Sequence, residues 1–150
     1  RLFYDFLDKR KLEYNRSLFD EYYNILESYV YATKYHYNRP RPEQIAPYYN
    51  EEVKVIYTST HQTPAYPSGH TAYAALAAHM LSKKFPDYKK EFFDLAEQAG
   101  TARILQGVHY PSDNVAGMTL AKFIFQEIER KVKDVSKRTK TFPSDYTGTA

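Results

Sequence analysis

Apolar residues recur at helical spacing in the first third of the chain and predict one long helix. The pattern covers residues 18–34, where positions three or four residues apart share one face: Phe19, Tyr23, Leu26 and Val30. The same face continues to Lys34, so a charged side chain falls on the side of the helix that is predicted to be buried. The sequence "NRPRP" that follows ends this helix.

A long proline-rich connection comes next. Residues 38–67 contain five of the eight prolines, and proline interrupts regular helix. We expect a short extended piece over residues 53–57 and loop elsewhere in this segment. Connections of this length within a small domain are usually functional or disordered, so the segment is a candidate part of a site.

Helical spacing resumes after the connection. The predicted helices cover residues 68–84, 88–105 and 112–135. Pro86, Gly107 and Pro111 mark the breaks between them. The chain is therefore predicted to be all-α, a compact helical bundle in which a long Pro-rich connection precedes the second core helix. One domain is expected over residues 1–140, followed by a polar tail over residues 141–150.

Composition narrows the class of protein. With 150 residues, 43% of them hydrophobic and 17% aromatic, the chain is expected to fold as one domain with a substantial core. It contains no cysteine, which excludes disulfides, thiolate metal ligands and a cysteine nucleophile. The net charge of +3 is small, and basic and acidic residues are interleaved, so nucleic acid is not an expected partner.

Hydropathy bears on the compartment. No apolar run approaches the roughly 18 residues that span a bilayer, so no transmembrane segment is predicted and the chain is expected to be soluble. It starts at Arg1 rather than Met, which suits a processed protein; if a signal peptide was removed, the periplasm or the exterior is the expected compartment. The 16 Tyr and 9 Phe, where exposed, would suit either a membrane surface or the interface of a homo-oligomer.

Polar residues fall on predicted core faces at four helix ends. Besides Lys34 they are His70, on the face of Ala74, Ala77 and Leu81; Arg103, on the face of Phe92, Ala96 and Ala99; and Asp113, on the face of Leu120, Ile124 and Ile128. Each has a structural explanation by itself, because basic residues suit helix C-termini and acidic residues suit first turns. Two cations on converging core faces are costly unless an anion pairs with them. The pattern therefore predicts an anion site.

The sequence "PSGH", Pro67 to His70, stands where the second core helix begins. A helix N-terminus offers unpaired backbone N–H groups and the positive end of the helix dipole, which together bind anions. The structural alternative is an ordinary serine cap beside an uninvolved histidine. The cations predicted on neighbouring helix ends favour the anion site.

Three motifs carry a family resemblance: Lys34, six residues, Arg41 and Pro42; Pro67 to His70; and Arg103, five residues, His109, three residues, Asp113. In this order they resemble the signature of the type 2 phosphatidic acid phosphatase superfamily, which includes bacterial non-specific acid phosphatases and vanadium-dependent haloperoxidases. The resemblance covers the middle of the chain and implies a helical fold. The third motif usually opens with serine before its arginine, and this chain has Ala102 there.

The resemblance implies a role for each motif residue. The phosphoryl oxygens would be held by the cations and by the start of the helix: Lys34, Arg41, Arg103, Ser68 and Gly69. His109 would be the nucleophile that forms a phosphohistidine, Asp113 would orient its ring, and His70 would be the general acid for the leaving oxygen. No metal is expected, and a mildly acidic or bell-shaped pH optimum follows from two histidines in opposite protonation states.

The function implied is a soluble, metal-independent acid phosphatase that hydrolyses phosphomonoesters, with lipid phosphates and diphosphates as further small phosphorylated substrates. A vanadium-dependent haloperoxidase is the nearest alternative, and vanadate would be a cofactor only in that case. A phosphate- or headgroup-binding domain without catalysis is the third. Of the two Arg-Pro pairs in "RPRP", only Arg41 has the family's distance from Lys34, and Arg39 is kept as a candidate cation at the rim of the site. The remaining histidines match no motif position, and surface or structural roles are expected for them: His36, His61 and His79. For His61 a contact with substrate is the alternative, because it lies close to the second motif in sequence.

Overall fold

The computed structural model describes residues 1–140, and over this range the chain is built from helices, turns and loops. The α-helices are α1 (Leu2–Lys9), α2 (Arg16–Tyr37), α3 (Pro42–Ile45), α4 (Gly69–Lys84), α5 (Lys89–Leu105) and α6 (Pro111–Lys140). Two short 3₁₀ turns follow α3 and α4: Ala46–Tyr49 and Pro86–Tyr88. The prediction of an all-α bundle is confirmed. None of the helices in this range is both long enough and apolar enough to cross a bilayer.

Local capping sets the helix ends. The Asn15 side chain accepts a hydrogen bond from the Leu18 N–H at 3.3 Å at the start of α2, and the helix ends at Asn38 in the left-handed conformation. Ser68 caps α4 in the same manner. α6 runs through Lys140 rather than ending near residue 135, because lysine and arginine favour helix in its polar last turns. The predicted polar tail, residues 141–150, lies outside the described residues.

The helix α1 corresponds to no predicted element. Its charged residues obscure a short amphipathic pattern made by Phe3, Phe6 and Leu7. Leu7 is buried, and the Phe6 ring meets Phe92 of α5 edge to face, with the ring centroids 5.1 Å apart. These aromatic contacts hold α1 on the bundle, so the helix depends on tertiary packing that eight residues of sequence do not reveal.

The central helix is α4, which packs against α2, α5 and α6. Its sequence is rich in alanine, so neighbouring helices approach it closely. Towards α2 and α6 it meets a core cluster that includes Leu26, Val30 and Ile124. Towards α1 and α5 it meets a second cluster around Phe92. These four residues were predicted to face the core, and they are buried.

The proline-rich connection is tied to the helix ends at several points. The Ile56 N–H donates to the Gln106 carbonyl at 3.0 Å, so the stretch over residues 53–57 lies against the turn between α5 and α6; no strand forms within residues 1–140. Gly107 in that turn has a φ of +74°, and a Cβ there would lie 2.5 Å from the Lys54 carbonyl oxygen, so glycine is required. The connection is thereby held over one end of the bundle.

Candidate active site

The three sequence motifs converge on one small cavity of about 40 Å³. Its wall contains five of the eight predicted site residues: Lys34, Arg41, Gly69, His70 and His109. Its other wall residues come from α2, α4 and the connection: Val30, Tyr31, Thr60, Thr63 and Tyr73. The volume exceeds the roughly 10–15 Å³ that one water requires, so a group of a few atoms fits. The end of α2, the start of α4 and the turn before α6 meet here.

His109 and Asp113 form a buried pair. His109 Nδ1 lies 2.9 Å from Asp113 Oδ2, and that oxygen also accepts a hydrogen bond from the Tyr110 N–H at 2.9 Å. Burial alone would raise the pKa of Asp113, but the hydrogen bonds from His109 and the Tyr110 backbone outweigh it and lower the pKa. An ionised Asp113 therefore holds a proton on Nδ1 and leaves Nε2 of the neutral ring unprotonated.

Arg39 holds the other oxygen of Asp113. Its Nη1 lies 2.7 Å from Asp113 Oδ1 and 2.7 Å from Ser112 Oγ. The guanidinium lies over the Tyr66 ring at 4.4 Å and near the Tyr110 ring at 5.7 Å. Arg39 is therefore not the rim cation expected from the sequence. It acts on the site through the carboxylate of Asp113, which is completely buried.

Arg41 is only 3% exposed, and each of its three nitrogens has an acceptor. Nε donates to the Thr63 carbonyl at 2.8 Å, Nη1 to the Val108 carbonyl at 2.8 Å and Nη2 to the Thr60 carbonyl at 3.1 Å. Nη1 also lies 3.0 Å from His109 Nε2. Burial lowers the pKa of Arg41, but a guanidinium stays charged in proteins. Arg41 thus fixes the connection over the site and places a positive charge beside His109.

Lys34 supplies a second buried cation, with only 4% of its surface exposed. Its Nζ donates to the Pro64 carbonyl at 2.6 Å. Burial, followed by the charge of Arg41, lowers the pKa of Lys34 to about 7. A carbonyl oxygen compensates an ammonium group only in part, so an anion entering the cavity would raise this pKa again.

Arg103 reaches the site from the end of α5 but does not belong to the cavity wall. It is buried; Nη1 donates to Gln106 Oε1 at 2.8 Å, and Nη2 donates to the Thr58 and Thr60 hydroxyls at 3.2 and 3.3 Å. Its buried Nε has no hydrogen-bond partner among residues 1–140. An unpaired buried donor is costly, so Arg103 retains capacity for one more acceptor.

The start of α4 brings Gly69 to the cavity wall, whereas the Ser68 hydroxyl turns inward. Ser68 is completely buried, and its Oγ accepts from the Thr71 N–H at 3.3 Å and lies 3.0 Å from Thr71 Oγ1. Ser68 therefore caps the helix, and a contact between its hydroxyl and a phosphoryl group stays a prediction. Gly69 presents only backbone to the cavity, which allows close approach of a ligand.

His70 stands at the exposed edge of the cavity. Burial of the side that faces the protein, followed by the charges of Arg103 and His109, lowers the pKa of His70 to about 4. Burial also lowers the pKa of His109, against the opposing effect of Asp113. The two histidines thus differ in surroundings: His109 has a carboxylate partner, while His70 faces cations and solvent.

The threonines of the connection were not found from the sequence. Thr60 and Thr63 line the cavity, and both also bind Arg41. The repeated hydroxyls of "TSTHQT", residues 58–63, were the available signal. The three histidines outside the motifs do not line the cavity: His36, His61 and His79.

Comparison with known proteins identifies the family. The sequence model of the PAP2 superfamily matches residues 22–137, a range that contains all three motifs. The chain belongs to the PAP2 superfamily. The resemblance inferred from the motifs, to the type 2 phosphatidic acid phosphatases, is thereby confirmed.

Similar PAP2 proteins include two kinds of named phosphatase. A non-specific acid phosphatase of Salmonella typhi is 35% identical over 65 residues, which make up 43% of this chain and 26% of that protein. A lipid A 1-phosphatase of Rhizobium etli is 35% identical over 54 residues, which make up 36% of this chain and 23% of that protein. The chain therefore matches about a quarter of the length of these relatives.

Proposed function

We propose that this PAP2 protein is a phosphatase that hydrolyses phosphomonoesters through a phosphohistidine on His109. The observation that carries the proposal is the placement of His109: its ring lines the cavity, Asp113 binds Nδ1 at 2.9 Å, and Arg41 lies 3.0 Å from Nε2. A nucleophile, a carboxylate that orients it and a cation that stabilises developing charge are the groups that covalent phosphoryl transfer needs. Two named phosphatases among its relatives support a phosphate ester as substrate.

In the first step the phosphoryl group would lie between Lys34, Arg41 and the backbone of Gly69. His109 Nε2 attacks phosphorus, and the Nε2–P bond forms as the bond to the leaving oxygen breaks. His70 donates a proton to that oxygen, which leaves as an alcohol. Arg41 exchanges its contact with Nε2 for a phosphoryl oxygen, and the cations stabilise the charge on the equatorial oxygens in the transition state.

In the second step water attacks the phosphohistidine. His70, now neutral, accepts a proton from the water as the Nε2–P bond breaks, and inorganic phosphate leaves. Asp113 stabilises the positive charge on the His109 ring in both steps. Among residues 1–140, no three His, Asp or Glu side chains are grouped so that they could hold a metal ion. We propose that the reaction uses neither a metal nor another resident cofactor.

The charge state of His70 depends on the bound substrate. Burial and nearby cations lower the pKa of His70 to about 4, and the two negative charges of a phosphomonoester would offset those cations and raise it. His70 is then protonated at mildly acidic pH, as the first step requires. His109 must be neutral to attack, so activity should fall at low pH as His109 protonates and at high pH as His70 loses its proton.

The test is to let the protein react with a labelled phosphomonoester, quench the reaction rapidly, and measure how much of the label on the protein is acid-labile and how much is acid-stable. The parent chain should carry acid-labile phosphate, and His109→Ala should carry none and show no turnover. His70→Ala should lose on the order of a hundredfold or more with an alkyl leaving group and much less with nitrophenolate, which needs no proton. His36→Ala is the matched control, because His36 is exposed and lies outside the cavity wall.

Two results would contradict the proposal. One is acid-labile phosphate on His109→Ala, which would place the nucleophile elsewhere. The other is an equal loss of activity for His70→Ala with every leaving group, which would contradict its role as proton donor.

Vanadate should inhibit hydrolysis, since it adopts the five-coordinate geometry of the transition state. If vanadate instead switched on bromide oxidation by peroxide, the haloperoxidase alternative would replace the phosphatase.

A further inference from the structure

A second, larger cavity of about 330 Å³ lies between α1, the start of α2, α4 and α5. We call it the apolar cavity, because most of its wall is hydrocarbon: Phe3, Leu7, Phe19, Ala74, Ala77 and Ala99 among others. Protein interiors are normally packed with few voids larger than a water molecule. A cavity of 150 Å³ lined by such residues holds benzene, so this one has room for an alkyl chain or a fused pair of aromatic rings.

The apolar cavity begins one helical turn from the small cavity around His70 and His109, which we call the phosphoryl site. Tyr73 belongs to the walls of both cavities. On α4, His70 lines the phosphoryl site, and Ala74, one turn later, lines the apolar cavity. On α5, Ala99 lines the apolar cavity, and Arg103 follows one turn later. The larger space therefore adjoins the phosphoryl site across Tyr73, one turn along α4 from His70, the proposed proton donor to the leaving group.

Resting on the proposed function, we propose that the apolar cavity holds the body of the leaving group. The preferred substrates are then phosphomonoesters of alcohols with an alkyl or aryl body, rather than of sugars or other hydroxylated alcohols. Hydroxyl groups would lose their hydration against Ala74, Ala77 and Ala99, whose side chains offer no hydrogen-bond partner. The alanines leave the space that such a body would fill.

The binding test uses alkylphosphonates of increasing chain length, which carry the phosphoryl group and cannot be hydrolysed. Their dissociation constants are measured by calorimetry, below the concentration at which they aggregate. Affinity should rise by up to ~4-fold for each methylene that enters the apolar cavity, and it should level off once the cavity is full. Hydrolysis of the matching alkyl phosphates should show the same trend in kcat/KM.

Two variants locate the effect. Ala77→Leu fills part of the apolar cavity and should flatten the rise with chain length while leaving ethylphosphonate binding unchanged; Ala32→Leu, on an exposed face of α2, is the matched control. Leu2→Asp places a charge in the wall at a partly exposed position and should weaken the long chains only. Because aspartate suits the first turn of a helix, Leu2→Asp carries the test if Ala77→Leu fails to fold.

The outcomes separate this inference from the proposed function. Equal affinity for ethyl- and octylphosphonate would overturn the inference, as would a rise that persists unchanged in both Ala77→Leu and Leu2→Asp. Chain-dependent binding without hydrolysis of any alkyl phosphate would support the apolar site and contradict the phosphatase proposal. Hydrolysis of alkyl phosphates without any dependence on chain length would support the phosphatase proposal and contradict the apolar site.

Discussion

Replacing Arg39 by methionine tests whether a residue outside the cavity sets the chemistry of His109. The variant removes the cation that lies 2.7 Å from Asp113 Oδ1 and keeps an unbranched side chain beside Tyr66. Asp113 keeps its hydrogen bonds to His109 and to the Tyr110 N–H. A hydrogen bond to a charged group contributes about 1.5–3 kcal/mol to stability. Since the Arg39 side chain is 35% exposed, water compensates part of the loss. We therefore expect the free energy of unfolding to fall by an amount in the lower half of that range.

The same substitution should shift the pH dependence of activity. The charge of Arg39 helps to lower the pKa of Asp113, so its removal raises that pKa and makes the carboxylate hold the His109 proton more strongly. The pKa of His109 rises as well, and the neutral nucleophile is lost at a higher pH. The acid limb of kcat/KM should therefore move to higher pH by up to about one unit, because 1.36 kcal/mol corresponds to one unit.

The assays are urea denaturation and the pH profile of kcat/KM for Arg39→Met. Arg39→Lys should restore part of the lost stability and part of the shift in the pH profile, because it returns the charge without the planar donor geometry. Arg130→Met is the matched control: Arg130 pairs with Glu127 on an exposed face of α6, and such surface pairs contribute about 0–1 kcal/mol. A denaturation midpoint and a pH profile that both superimpose on those of the parent chain would refute the reasoning.

Three further predictions concern the cavity itself. Hydrolysis should survive EDTA, because in the proposed reaction cationic side chains would take the place of a metal; complete loss with recovery on adding Mg²⁺ or Zn²⁺ would refute this. Gly69→Ala should fold normally, since a Cβ would lie at ordinary contact distance, 3.6 Å, from Tyr73 and Val30, but its methyl group in the wall should weaken phosphate binding about tenfold or more in calorimetry. Sulfate binding near pH 8 should take up a proton, because the pKa of Lys34 is about 7 and an anion raises it. Calorimetry in buffers of different ionisation enthalpy measures this uptake, and Lys34→Met should abolish it.

Local pattern was enough to predict most of the helices and five of the residues that line the small cavity. The spacing of Leu26 and Val30 predicts a helix with the buried Lys34 near its end, and this helix runs on to Tyr37 in the structure. The helix that begins after Ser68 was placed to within one residue. Both depend on residues within a few turns of each other, where periodicity and capping act. The order of the three motifs supplied the family, since each motif joins residues close in sequence.

What remained hidden depends on contacts between distant parts of the chain. Arg39 and Asp113 are separated by 74 positions, and whether two such charges meet is decided by how α2 and α6 pack. The Ser68 hydroxyl could face either a ligand or its own helix, and only the structure shows its hydrogen bonds to Thr71. The apolar cavity requires α1 to dock on α5 through Phe6 and Phe92. Sequence determines which residues are present on each helix face, whereas the packing of the faces determines which of them meet, because that choice minimises the free energy of the whole chain rather than of any local segment.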